Sequence, residues 1–482
     1  MRLKVVVLSV FLALLQHPAS AQSIVRFHVS RPYSLLSFLE VAGGLQNHSV
    51  TFRQYLDTAI SKTDTVFNNI VSDFSRLILT YYFRRDEYPS NRRQTRSTYD
   101  LIVIAAVRSR SMAEFRANTI GILPNSTHQQ LYELLVKAAP YYERVVWQKS
   151  AKAVKQQMGG FIRYAGKSNE LFRAFRTFYR SSWPDDIPFE VAVFPIPVTQ
   201  GNTTATPHAN SLCVSVLTGQ KNLAGTMGVV MHELCHVLYD EQTSDVQFEL
   251  DEVFTKSKSP YAAIAYSFFD EAMATALGNG WAYEQFSGKP DTTAWYNNEY
   301  IDGFAHALYP LVREYLGAGR AIDSFFVERA IDLFAKNYPR ALADYSILLN
   351  NMVLYSDSEG RIEREALKNE LGKYFQSSRY NLSSPILHEY SLQYIKTSKS
   401  LQLIVIDRNQ DTTISELKKI LPELEPILKG QQAQNYIAAF YDQANRPVIV
   451  IRVADGRMLD KAFSRLKERR YLDVNMPVIP LD

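Results

Sequence analysis

Cysteine is almost missing from this chain, with two in 482 residues. So few thiols exclude a disulfide-stapled mini-domain. An excess of charge is missing too: 53 Lys+Arg face 49 Asp+Glu, a formal net charge of +4. That balance implies no broad polyanion-binding surface. Beyond the first residues no run is long and apolar enough to span a bilayer, so no integral membrane association is expected. There is no internal repeat, no Gly-rich phosphate loop and no basic–aromatic pattern, so nucleic acid is not an expected partner. What is present is material for cores: 46% hydrophobic residues, with 29 Tyr and 26 Phe. The length suits one large or two to three ordinary domains.

Met1 to Ala21 reads as a signal peptide. Arg2 and Lys4 supply the positive start, Val5 to Leu15 the apolar stretch, and Ala19-Ser20-Ala21 a small-residue cleavage site. The stretch is too short for a membrane anchor and is followed by His17 and Pro18. The mature chain is therefore expected to be secreted or periplasmic, beginning at Gln22. In an oxidising compartment Cys213 and Cys235 become a candidate disulfide. Closing a loop of that size is worth roughly 3 kcal/mol in the chain-entropy picture. Sequons at Asn47, Asn125, Asn202 and Asn381 do not discriminate between sources.

The pattern predicts an α+β, predominantly helical protein in several parts. After the signal peptide (1–21) comes a mainly helical region over 22–184, with a kink or break at Pro140. Arginines crowd the stretch from Arg84 to Arg110, a pattern of solvated faces and internal ion pairs. A second part, 185–378, opens with a strand from Phe189 to Val198, whose Pro195 and Pro197 suit an edge. Gln200 to Ala209 reads as a loop and Ser211 to Leu217 as a short strand. Helices follow over Gly225–Glu241, from Ser259-Pro260 toward Gly278, and over Tyr300–Leu316. Residues 379–400 look like a linker, and 401–482 like a small β-α-β-β-α module.

Chemistry concentrates in GTMGVVMHELCHVLYDEQ, which contains His232-Glu233-x-x-His236. Four residues is just over one helical turn, so the two imidazoles project from one face and can grip a single Zn²⁺. Glu233, about 100° round the helix, lies beside such an ion, where it can take a proton from water. A catalytic zinc needs a third protein ligand. Glu271, in SFFDEAMATALGNGW, is the choice, because an unpartnered carboxylate amid apolar helix is costly and ligation removes that cost. Asp240 and Asp270 are the rival acids; whichever does not ligate can orient an imidazole N–H.

His232-Glu233-Leu234-Cys235-His236 followed by Glu271-Ala272-Met273-Ala274 resembles the zincin metallopeptidases of the gluzincin type. The resemblance covers roughly residues 185–320. It implies a zincin-like catalytic domain and an edge strand before the zinc helix that binds an extended peptide, a place occupied by Ser211–Leu217. It also implies a His or Tyr that steadies the oxyanion. His306, Tyr309 and Arg313 share one helical face, so His306 or Tyr309 takes that role. The expected function is a zinc metallopeptidase, a hydrolase acting on a peptide or protein substrate, with one catalytic Zn²⁺ and Glu233 as general base. The alternatives are a non-catalytic zincin-like binding protein and a zinc hydrolase of a non-peptide amide. The sequence does not give the oligomeric state.

Overall fold

The computed structural model describes residues 23–45, 49–89, 92–358, 360–398 and 400–482. The signal-peptide stretch and the Asn47 sequon lie outside the described residues, whereas Asn125, Asn202 and Asn381 are exposed. None of the described helices is long and apolar enough to cross a membrane. The chain is mixed α and β with helix dominant, in agreement with the α+β expectation. It divides into two compact units. One holds the described residues up to Asp251 with Asp270–Tyr296 and Leu308–Phe326, and the other holds Glu252–Phe269, Asn297–Ala307 and Val327–Asp482.

In the first unit, β1 (Val25–His28) leads into helices α1 (Arg31–Ala42), α2 (Val50–Ala59) and α3 (Thr65–Ser75). A hairpin of β2 (Tyr82–Arg84) and β3 (Thr95–Ser97) precedes α4 (Thr98–Arg108), α5 (Met112–Asn118) and α6 (Asn125–Tyr142). Pro140 does not break α6. The chain passes through a π-helical turn, Glu143–Trp147, straight into α7 (Gln148–Phe161). Helix α8 (Ala165–Tyr179) ends in left-handed Arg180. Phe38, Phe52, Leu135 and Val146 are buried in one core with Phe194 and Cys213 of the sheet.

That sheet has the order β1-β4-β6-β5, with β4 (Phe189–Ile196), β5 (Ala205–His208) and β6 (Ser211–Leu217). β1, β4 and β6 run parallel, and β5 is antiparallel to β6. Two expectations change here. β4 is interior rather than an edge, but β1 pairs only with Phe189–Ala192, so Pro195 sits where that side of β4 has no partner strand. β6 is flanked on both sides, and the edge before the long helix belongs to β5, drawn from the segment read as a loop. Helix α9 (Leu223–Asp240) follows, its N-cap Asn222 accepting from Gly225 N at 3.1 Å.

Helices α10 (Ser244–Lys256) and α11 (Ala262–Ala274) come next, then a π-helical segment, Thr275–Ala282, and α12 (Tyr283–Ser287). After α13 (Glu299–Gly317) and α14 (Ser324–Asn337), the second unit builds a six-stranded sheet of order β12-β10-β11-β9-β7-β8. Its strands are β7 (Asn351–Tyr355), β8 (Arg379–Ser383), β9 (Leu401–Ile406), β10 (Tyr436–Tyr441), β11 (Pro447–Arg452) and β12 (Val478–Pro480). The alternation read over 401–471 is reproduced, but residues 379–400 are no linker. They carry β8, paired in parallel with β7, and a helix, Glu389–Thr397, whose Ile395 is buried against the sheet. β8 escaped notice because it is a short edge strand with little apolar side chain.

Candidate metal centre

Helix α9 is apolar nearly all round: Val230, Met231, Leu234, Cys235 and Leu238 are fully buried. Such a helix belongs inside the unit, and it carries His232, Glu233 and His236 inward with it. Within the same unit the π-helical segment Thr275–Ala282, which continues from residues 270–274, packs closely against it. A Cβ at Gly278 would overlap the backbone of His232, so only glycine lets the two segments touch there.

This packing brings His232 Nε2 and His236 Nε2 to 3.0 Å from each other, each 3.6 Å from Glu271 Oε2. A triangle with sides of 3.0, 3.6 and 3.6 Å has a circumradius of about 2.0 Å, close to the ~2.0–2.2 Å that zinc keeps from nitrogen and oxygen donors. Glu271 Oε2 is buried and accepts no hydrogen bond, since 3.6 Å is too long for one. Two imidazole nitrogens and a carboxylate oxygen this close to one another could hold a metal ion. Among the described residues this is the one cluster of three or more His, Cys, Asp or Glu donors close enough to hold a metal ion.

The rival acids have other work. Asp270 Oδ1 stands 3.0 Å from His236 Nδ1, an ion-pair contact on the ring nitrogen opposite Nε2. Asp240 faces Arg96 at 3.6 Å and Arg93 at 3.8 Å, and Arg96 also reaches Glu241. Burial and the nearby Asp270 push the Asp240 carboxyl up to about 6 against these arginines. Arg92 is buried with its guanidinium 3.4 Å over the Tyr239 ring. The arginine-rich segment thus supplies internal ion pairs, as its spacing suggested.

Burial raises the Glu233 carboxyl, His232 and His236 oppose the rise, and Glu271 and Asp270 add to it. For Glu271 burial also favours the neutral acid, yet the two imidazoles outweigh it and hold the group well below the usual carboxylate range. Burial depresses His236, while Asp270 and Glu271 together carry it well above the ordinary value. His232 Nδ1 is buried with no hydrogen-bond partner.

A residue that sequence reasoning missed stands beside the ligands. Tyr296 stacks on His232 with ring centroids 6.0 Å apart, and burial and the neighbouring Glu271 carboxylate push its hydroxyl well above the usual tyrosine value. It comes from the irregular stretch between α12 and α13, where no periodicity marks it. Tyr309 lies in the same unit, but its hydroxyl donates to Glu284 and its ring packs edge-on against Trp295 at 5.0 Å. His306 belongs to the other unit and lies 3.8 Å from Asp302 on the preceding turn.

The expected Cys213–Cys235 disulfide is absent; both thiols are free and buried. Strand alternation explains this. Cys213 projects into the core shared with α1, α4 and α6, beside the Tyr33 hydroxyl, whereas its neighbour Val214 faces Thr226 and Val229 of α9. Cys235 sits by the Tyr179 hydroxyl instead. No family model, curated protein or solved structure matches this chain.

Proposed function

We propose that this protein is an exported zinc-dependent peptidase with a gluzincin-type centre. The observation that carries the reading is the triangle of His232, His236 and Glu271 donors around a point about 2.0 Å from each, with Glu233 on the same helix. A divalent ion held there supplies Lewis-acid polarisation of a carbonyl and activation of water.

The chain's own residues do the rest. Glu233, whose carboxyl burial raises, takes the proton of the attacking water and delivers it to the leaving amine. Asp270 holds His236 in the tautomer that leaves Nε2 free to ligate. Tyr296 offers its hydroxyl to the developing oxyanion, a role for which the sequence had put forward His306 and Tyr309. The free edge of β5 offers backbone groups for an extended peptide.

The test compares the zinc-loaded mature protein with Glu233→Gln on a broad peptide library. Cleavage by the first and loss of turnover with retained zinc in the second support the reading. Stoichiometric zinc without turnover on any peptide in either form would make the chain a binding protein.

A further inference from the structure

A cavity of about 220 Å³ lies along α9 next to the metal centre, within the first unit. Val229 on its wall is one turn before His232. Two other wall residues are chain neighbours of residues that touch His232: Asn279 follows Gly278, and Trp295 precedes Tyr296. The space is ample for a long side chain.

Its chemistry is one-sided. Gln220 Nε2 donates to Thr226 Oγ1 at 2.6 Å and Asn279 Nδ2 to Trp295 O at 2.7 Å, which fixes the orientation of both amides. Their carbonyl oxygens, Gln220 Oε1 and Asn279 Oδ1, are buried with no hydrogen-bond partner. Ser215 Oγ spends its proton on Thr204 O at 3.1 Å. Asp291 contributes the one charged side chain of the wall, and its Oδ1 is engaged by Thr293 N at 2.9 Å and Thr293 Oγ1 at 2.8 Å. Both amide nitrogens are committed inside the protein while their carbonyl oxygens remain, and Asp291 with the aromatic residues Trp295 and Tyr283 completes a lining that favours a cation.

We infer that this cavity selects substrates by a long side chain ending in several N–H donors, a lysine or arginine flanking the bond to be cut. The inference rests on the peptidase reading. A peptide set bearing Arg, Lys, Leu or Glu at each position flanking the scissile bond tests it on the zinc-loaded full mature chain. A basic residue at one position should raise kcat/KM at least about tenfold over Leu. Asp291→Asn keeps the Oδ1 acceptor and removes only charge, and it should shrink that ratio by about tenfold; Thr226→Val should shrink it too. Equal cleavage of basic and neutral peptides, or an unchanged ratio in Asp291→Asn, overturns the inference and leaves the peptidase reading standing. If no peptide is cut, that reading fails. Titrating Glu233→Gln protein with agmatine then decides the cavity: saturable binding lost in the added Asp291→Asn change supports a cation site, and no binding overturns it.

Discussion

Replacing Asp270 by alanine isolates the part of the centre that never touches the ion. The Asp270 carboxylate sits 3.0 Å from His236 Nδ1, and its side chain is 42% exposed. An orienting carboxylate of this kind is worth about 10- to 100-fold in metal affinity, or roughly 1.4–2.7 kcal/mol. Water can reach this pair, so the lower half of that range applies. Asp270→Ala should therefore weaken zinc about tenfold. Asp270→Asn, which retains an acceptor, should fall between wild type and alanine. Glu271→Ala, which removes a ligand, should weaken zinc far more than either. Competition against a chromophoric chelator measures all four proteins on one scale, with circular dichroism to confirm the fold. An Asp270→Ala protein that holds zinc as tightly as wild type, or more weakly than Glu271→Ala, would refute the assigned roles.

Gly278→Ala forces a Cβ into the His232 backbone, so it should spread the two ligand-bearing segments and lower both zinc affinity and thermal stability. Chelator competition and melting curves read both, and overpacking of this kind costs about 1–3 kcal/mol. Tyr296→Phe should lower kcat by roughly 10²- to 10³-fold with little change in KM; an unchanged kcat would remove Tyr296 from the mechanism. Glu40 provides a pH test away from the centre. Burial lifts its carboxyl from 4.5 to about 7 against the Tyr99 hydrogen bond. A raised acid pKa means the folded state binds the extra proton, so stability is greatest below pH 4.5 and falls as pH rises to about 7. Urea unfolding should show Glu40→Gln near wild type at pH 4.5 and more stable by up to roughly 3 kcal/mol at pH 8. A gain that does not depend on pH would contradict this origin.

The clustering of His232, His236 and Glu271 was legible because its parts are local. Two histidines four apart on an apolar helix need only helical geometry, and Glu271 stood out as an acid with no reason to be buried. The division of labour among the acids was less legible: only the structure shows Asp270 turned to His236 and Asp240 taken by Arg93 and Arg96. Tyr296 could not be read at all, since its place depends on how an irregular segment returns to α9. β5 and β8 were missed for a shared reason. Edge strands bury one side at most, so their sequences are short, polar and without alternation. The disulfide failed on strand alternation, because one residue's shift decides which face of the sheet a cysteine joins.

The most direct measurement is metal content per chain after dialysis against buffered zinc, taken on wild type, His232→Ala and Glu271→Ala. One ion per wild-type chain and less than about a tenth of that in each variant is the result expected of three converging ligands. A wild-type chain that retains no zinc, or a Glu271→Ala chain that keeps a full equivalent, contradicts the centre described here.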